Sequence, residues 1–394
     1  YKKYADQLIE QNKAYYCFCS DDLLTKKREE ATAKNLVPQY DGTCKKLTKD
    51  KIEEKLASGE KAVARFKSFE ENIVLNDLVR GKIEFKEGMV GDFIILRSDS
   101  LPTYNFAAVC DDHLMEISHV LRSEEHLSNT YRQIMIYRAL DFIPPAFGHF
   151  SLVMGKDAEG TVSKLSKRHG AVSVAKYKED GYLPQALFNY LTLLGWSSPS
   201  GNEIILKDKI ISDFSLKRIS KSSSIFDIDK LRWMNLKYLK DIPKENRFFI
   251  AKDFIDFEKL SEYKSEEVEK MVDLVWDTLY ALSEVNERLA LFISNKFIFS
   301  DDDILLLKDD NAKRILTSFY EKANNVSILD RDTFNQIVKE IKDETGIAGK
   351  EIWFPIRLGI TGEKHGPDII GVICILGKNR VINLLKETLK TICE

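Results

Sequence analysis

The residues best placed to do chemistry are two lysines, Lys164 and Lys167, in the run Lys164-Leu165-Ser166-Lys167-Arg168. Before them, Ser151-Leu152-Val153-Met154 reads as a short apolar strand, and Gly155-Lys156-Asp157-Ala158-Glu159-Gly160 supplies turn residues, so the lysines arrive on a polar loop. Such a loop can close over phosphates. When a carboxylate attacks an activated phosphate, negative charge builds on the phosphoryl oxygens and the leaving group, and preorganised cations stabilise it. A solvated basic turn has the same composition, and the pentapeptide alone leaves both readings open.

Arg122, in Val120-Leu121-Arg122-Ser123-Glu124-Glu125-His126-Leu127, offers a planar fork that matches a carboxylate. Tyr104, in Pro102-Thr103-Tyr104-Asn105-Phe106-Ala107, adds a hydroxyl able to bond an amino group or an oxygen. An arginine at a strand end also serves as half of a structural ion pair. Cys17-Phe18-Cys19 and Cys44 supply three thiols, with Tyr40 four residues before the last. They approach the four-ligand set of structural zinc, and reduced core thiols are the alternative. Cys110, Cys374 and Cys393 are scattered, which suits a reducing compartment better than a disulfide framework.

The elements that position these groups follow from hydrophobic spacing. Residues 1–13 read as a helix with Tyr4, Leu8 and Ile9 on one face, residues 61–67 and 83–86 as short β segments, and residues 91–97 as a clearer strand. Phe106-Ala107-Ala108-Val109-Cys110, ending in Asp111-Asp112, and Ile117-Ser118-His119-Val120-Leu121, ending at Arg122, read as buried parallel strands. Polar residues just past such strands are where open α/β sheets bind ligands. A helix is predicted over residues 128–140, halted by Pro144-Pro145, and another through Leu187, Tyr190, Leu191 and Leu194. Beyond residue 240 the pattern is helical: Val268, Met271, Val272, Val275 and Leu279 fall on one stripe, as do Val381, Leu385 and Leu389.

At 394 residues, the chain exceeds one ordinary core. Its 31% charged and 44% hydrophobic residues are those of a soluble globular protein, and no apolar run approaches the roughly 20 residues of a membrane span. Tyr1-Lys2-Lys3-Tyr4 is not a signal peptide, so the cytoplasm is the expected location. A net charge of −3 argues against coating nucleic acid by charge alone. Locally, residues 207–240 carry nine Lys or Arg (207, 209, 217, 218, 221, 230, 232, 237, 240) against four Asp (208, 213, 227, 229). That segment suits an RNA backbone or a solvated helical face equally.

In this order, the Pro102–Ala107, Val120–Leu127 and Lys164-Leu165-Ser166-Lys167-Arg168-His169-Gly170 motifs resemble those of the bacterial-type glutamyl-tRNA synthetases, members of class I. The resemblance runs from Ala14-Tyr15-Tyr16-Cys17-Phe18-Cys19 to Phe354-Pro355-Ile356-Arg357-Leu358, Thr361-Gly362 and His365-Gly366-Pro367. It implies an α/β fold: a class I Rossmann-type nucleotide-binding domain, an α/β insertion, a mixed stem-contact domain and an all-α anticodon-binding domain. Residues 1–100 would hold the end of the first Rossmann half and the insertion with its zinc site, 101–150 the second half, 151–240 the lysine loop and tRNA stem contacts, and 241–394 the anticodon domain.

The resemblance also implies roles. Tyr104 and Arg122 would bind glutamate, and Glu125, Ser166 and Lys167 would bind ATP, with Glu125 on a ribose hydroxyl. Lys164 and Lys167 would stabilise the reacting phosphates, and Arg357 would meet unpaired tRNA bases. The family often ligates zinc with Cys-x-Cys and Cys-x-His, but Lys46 stands where that histidine belongs. The implied set here is therefore Cys17, Cys19, Tyr40 and Cys44, since related enzymes use a tyrosine in that place. Expected cofactors are ATP, Mg²⁺ and structural Zn²⁺; expected partners are L-glutamate and tRNA(Glu), with tRNA(Gln) as a second acceptor left open, no membrane, and a monomeric chain. The family's His-Ile-Gly-His-like signature does not occur, so further sequence is expected upstream; a non-catalytic tRNA-binding paralogue or fragment is the competing reading.

Overall fold

In a computed structural model of the chain, residues 1–69, 71–157, 159–166 and 173–393 are described. They form two compact units: the first from Tyr1–Leu165, Leu193–Gly201 and Ser212–Phe226, the second from Ser166–Thr192, Asn202–Ile211 and Asp227–Glu394.

The first unit opens with α1 (Lys2–Glu10), β1 (Ala14–Cys17), α2 (Asp21–Ala33), α3 (Lys49–Ala57) and β2 (Val63–Phe66). It continues through β3 (Ile73–Asp77), β4 (Gly81–Phe85), β5 (Phe93–Leu96), α4 (Tyr104–Leu114), β6 (His119–Ser123) and α5 (Leu127–Ala139), then β7 (Ala146–Phe150), β8 (Val153–Lys156) and β9 (Val162–Lys164). Strands β1, β2 and β5 form an antiparallel sheet in that order. In β3, Ile73, Leu75 and Asp77 are buried while Val74 and Asn76 face out, the period-two pattern that carries Asp77 inward with the apolar residues. Strand β6 pairs in parallel with β7, and the register sets Arg122 opposite His149.

Three sequence expectations change here. Phe106–Cys110 is not a strand but the middle of helix α4, with Phe106, Val109 and Cys110 buried at positions i, i+3 and i+4. A five-residue apolar run fits either element, and Ala107-Ala108 favours the helix. Arg122 accordingly lies inside β6, one residue before its end, rather than beyond a strand. The second change concerns Pro144-Pro145, which do not end regular structure, because β7 begins at the next residue. The apolar strand before the lysines is also shifted, running through Val153–Lys156, and its turn centres on Asp157, whose Oδ1 accepts the Thr161 N–H at 2.8 Å.

The second unit holds α6 (Val174–Glu179), α7 (Pro184–Leu193, its last residue in the first unit) and α9 (Ile228–Lys240). Between these, α8 (Lys207–Asp213) spans a unit boundary and β10 (Ser224–Ile225) pairs with β8 in the first unit. Eight further helices follow: α10 (Lys244–Ala251), α11 (Ser265–Val275), α12 (Val285–Ile293), α13 (Asp301–Lys308), α14 (Asp310–Asn325), α15 (Arg331–Thr345), α16 (Lys350–Thr361) and α17 (Ile369–Cys393). The stripe Val268, Met271, Val272 and Val275 is buried along α11 as its spacing requires. Trp276 is fully buried beside it, and its indole N–H donates to Leu239 O at 2.7 Å, so that polar atom enters the core satisfied. No described helix is long and apolar enough to cross a membrane.

Candidate active site

Arg122 reaches from β6 between two helices. Its Nη2 donates to Thr130 Oγ1 at 2.6 Å and to Gln133 Oε1 at 2.7 Å, both on α5, and its Nε lies 3.4 Å from His149 Nε2 on β7. Thr130, Gln133 and His149 are buried polar residues, so these bonds form away from water, where they are strong and costly to leave unmade. From α4, the Tyr104 hydroxyl comes within hydrogen-bond reach of the guanidinium, while the tyrosine itself stays 58% exposed. Burial lowers the Arg122 pKa, and Tyr104, Asp112 and Tyr137 pull it back up. Asp112, one face of α4 with Tyr104, is raised above the usual carboxylate range by burial and accepts from Tyr137 Oη at 3.4 Å. The half-buried guanidinium is thus a cation held in place beside the exposed Tyr104.

Glu125 lies three residues beyond Arg122, in the turn Glu124–His126 that ends β6. Its Oε2 meets Lys164 Nζ, at the end of β9, at 2.6 Å. The Lys164 ammonium holds the exposed Glu125 carboxyl below the usual range. Neighbouring Glu124 pairs with Arg80 and accepts the Leu152 N–H at 3.3 Å, which fastens this turn to the start of β8. His126 packs near Glu125, its Nδ1 3.3 Å from Asn129 Nδ2. Ser166 is half-buried, and Lys167 lies outside the described residues.

The three thiols gather as the spacing anticipated. Cys17 ends β1, Cys19 follows it, Cys44 sits in the turn Thr43–Lys46, and their Sγ atoms all lie within 4.8 Å of one another. Tyr40 Oη stands 3.3 Å from Cys17 Sγ and 3.4 Å from Cys19 Sγ, and accepts the Cys44 N–H at 2.9 Å. The Arg65 guanidinium covers the Tyr40 ring at 3.9 Å. Burial raises the Cys17 thiol, but bonds from Tyr40, Cys19 N–H and Arg65 outweigh it and leave the thiol below its ordinary value. Burial pushes Cys19 up to about 11. Lys46 is exposed and stands apart from the cluster's chemistry. Three soft sulfur donors and one phenol in mutual reach fit a tetrahedral zinc.

In the helical unit, Arg357 on α16 is half-buried and donates from Nη1 to Pro367 O at 2.8 Å. Trp353, 38% exposed, packs on buried Phe334 at 5.8 Å, and the half-buried Phe354 packs on the exposed His365 at 5.6 Å. Of the basic residues between 207 and 240, Lys230 pairs with Glu203 at 2.5 Å and Arg232 with Glu284 at 2.7 Å. Asp77, Thr130, Gln133 and His149 were not singled out from sequence. The available signal was a lone histidine between Phe147-Gly148 and Phe150 on an apolar strand.

Residues 1–233 match the family described as tRNA synthetases class I (E and Q), catalytic domain, and residues 249–389 match an anticodon binding domain. A glutamate–tRNA ligase of Caldicellulosiruptor saccharolyticus is 42% identical over 394 residues, covering 98% of this chain and 80% of its own. One from Carboxydothermus hydrogenoformans is 42% identical over 395 residues, covering 98% and 81%. Among solved structures, the glutamate tRNA ligase of Elizabethkingia meningosepticum in complex with its amino acid superposes with a TM-score of 0.79 at 25% identity, covering 99% of this chain and 83% of that one. By catalytic-domain match, near-complete alignment and fold, the chain belongs to the class I tRNA synthetases of the glutamate and glutamine group.

Proposed function

We propose that the chain is a glutamate–tRNA ligase, which activates L-glutamate with ATP, as its magnesium complex, and transfers the glutamyl group to the 3′ end of tRNA(Glu). In the first step the α-carboxylate oxygen of glutamate bonds to the α-phosphorus while the bond to the β-phosphate breaks, and pyrophosphate departs. In the second, a ribose hydroxyl of the tRNA terminus attacks the acyl carbon, loses its proton and displaces AMP. The attacking carboxylate is already ionised near neutral pH, so the first step asks for positioning and charge stabilisation rather than a general base.

Each role follows from the chemistry of one group. Arg122 and Tyr104 bind the glutamate side-chain carboxylate through a charge-assisted fork and a hydroxyl. Glu125 accepts from an ATP ribose hydroxyl, Lys164 and Lys167 face the phosphates, and Ser166 adds a hydroxyl beside them. Lys164 and Glu125 pair with each other, and ATP would offer each a partner of its own, phosphate for the lysine and a ribose hydroxyl for the carboxylate. Cys17, Cys19, Tyr40 and Cys44 hold a structural zinc, whose contribution is to fold the loop carrying them rather than to react. Arg357 serves the anticodon end, the protein acts as a monomer in the cytoplasm, and tRNA(Gln) is a candidate second acceptor.

The observation that carries this reading is the convergence of Arg122 and the Glu125–Lys164 pair, three residues apart at one end of β6. The match over residues 1–233 is to a catalytic domain, which favours the ligase over a non-catalytic RNA-binding relative. The test is ATP-dependent attachment of labelled glutamate to purified tRNA(Glu) and tRNA(Gln) by the full-length protein. Charging of tRNA(Glu) alone defines a discriminating ligase, charging of both a non-discriminating one, and charging of neither overturns the proposal.

A further inference from the structure

A buried pair behind Arg122 is not accounted for by substrate contacts. Asp77 closes β3 and His149 lies on β7; both side chains are fully inaccessible, and His149 Nδ1 stands 2.6 Å from Asp77 Oδ2. The other carboxylate oxygen, Oδ1, accepts three backbone N–H groups, from Arg80 at 2.8 Å, Val79 at 2.9 Å and His149 at 3.2 Å. An acceptor so heavily bonded is ionised, since only the charged form rewards every donor. Burial works against this, yet those bonds hold Asp77 below the usual carboxylate range. The ionised Oδ2 then requires a proton on His149 Nδ1.

The opposite ring atom is consequently decided. With Nδ1 carrying the proton, a neutral imidazole leaves Nε2 as an acceptor, 3.4 Å from Arg122 Nε and 2.8 Å from Thr130 Oγ1. Burial, with the cations Arg122 and Arg80 nearby, keeps His149 below its ordinary pKa although Asp77 pulls it up. Arg122 therefore rests on three neutral acceptors: Thr130 Oγ1, Gln133 Oε1 and His149 Nε2. Gln133 has its amide orientation fixed in turn, because its Nε2 donates to Asn105 Oδ1 at 3.2 Å. The carboxylate that organises the group is kept one imidazole away from the guanidinium. A direct ion pair would have oriented Arg122 equally well and quenched the charge a ligand carboxylate needs.

We propose that Asp77 and His149 are positioning residues for substrate selection: Asp77 fixes the His149 tautomer, and His149 with Thr130 and Gln133 orients Arg122 without neutralising it. This rests on the reading of Arg122 as the group that binds the glutamate carboxylate. An asparagine at 77 would aim its amide N–H₂ at His149 Nδ1, favour the Nε2–H tautomer, and turn a donor toward the donors of Arg122.

The test is steady-state pyrophosphate exchange and tRNA binding with the full-length protein. Asp77→Asn is expected to raise KM for glutamate about tenfold, the size of one misplaced charge-assisted bond, with KM for ATP and tRNA affinity within about twofold of wild type. His149→Gln, which retains an acceptor, should recover most of the glutamate KM, and His149→Met, which has none comparable, should not. Equal behaviour of the Gln and Met variants, or a loss of active protein with glutamate KM unchanged, overturns the proposal. If none of the variants folds, ¹⁵N-histidine spectra of the wild-type protein decide: an imidazolium, or the Nε2–H tautomer, at neutral pH overturns it. Arg122→Ala separates the two levels. If it leaves glutamate KM unchanged, the reading of Arg122 itself fails; if it raises KM while Asp77→Asn does not, only the positioning role fails.

Discussion

Lys164 Nζ and Glu125 Oε2 stand 2.6 Å apart, joining the end of β9 to the turn after β6. Both side chains are exposed, so the pair adds little to folding and its members are free to exchange partners. Lys164→Ala should lower the pyrophosphate-exchange rate by about a hundredfold, the scale of one lost transition-state cation, with no change in melting temperature. Glu125→Gln should act mainly on KM for ATP. A Lys164→Ala enzyme of normal activity would remove the lysine from the mechanism.

Lys167, outside the described residues, carries a prediction from its sequence position alone. Lys167→Ala should cost activation by orders of magnitude while tRNA affinity stays nearly intact, because in the proposed role its cation offsets the charge that builds on the phosphates as they react. Unchanged pyrophosphate exchange would sink the assignment.

The buried Asp77–His149 pair makes the stability of the first unit pH-dependent in one direction. His149 is depressed in the folded state, so stability is full above the unfolded histidine value near 6.5 and falls as pH drops through it. Asp77 is also depressed, so its contribution is full above about pH 4 and is lost on further acidification. The melting temperature should therefore decline between about pH 7 and pH 5, and that slope should flatten in His149→Gln. A wild-type profile that is level across this range would mean that His149 is not held neutral.

Gly181 follows α6 at φ +79°, and a Cβ there would lie 2.6 Å from the Leu282 backbone nitrogen. Leu282 N–H donates to Gly181 O at 3.1 Å, and Ser283 Oγ to Asp180 O at 2.7 Å, so the two loops are joined backbone to backbone and cannot separate cheaply. Gly181→Ala should cost about 2 kcal/mol or more, from left-handed strain plus the clash. Urea unfolding of the second unit, followed through Trp276, would reveal it as an earlier midpoint with an unchanged slope.

What could be read from sequence was set by how locally each feature is encoded. The α11 stripe is written in spacing over a few turns and reappears in the fold, and Cys17-Phe18-Cys19 meets Cys44 as a cluster; of the two lysines expected on a polar loop, Lys164 instead ends strand β9, and Lys167 lies outside the described residues. Phe106–Cys110 went wrong because five apolar residues satisfy a strand and a helix alike, and packing of Phe106, Val109 and Cys110 into one core decides between them. The support of Arg122 was invisible for another reason. Asp77 and His149 lie 72 residues apart, neither belongs to a recognisable pattern, and only the parallel pairing of β6 with β7 brings the imidazole beside the arginine.

The thiol cluster yields the last prediction. Cys17, Cys19 and Cys44 lie within 4.8 Å of one another and share Tyr40 as a common neighbour, while Lys46 points to solvent. Three thiols packed this closely, one lowered and one raised, repel if all ionise, and a divalent cation removes that conflict while tying β1 to the turn Thr43–Lys46. Purified protein should contain about one zinc per chain by elemental analysis, as one tetrahedral four-ligand site requires. Cys17→Ser should lose the metal and lower the melting temperature, and Tyr40→Phe should weaken binding while keeping the thiols in place, because it removes only the phenol oxygen. A chelator-treated wild-type protein that is metal-free, melts normally and charges tRNA normally would show the three cysteines to be inert core thiols.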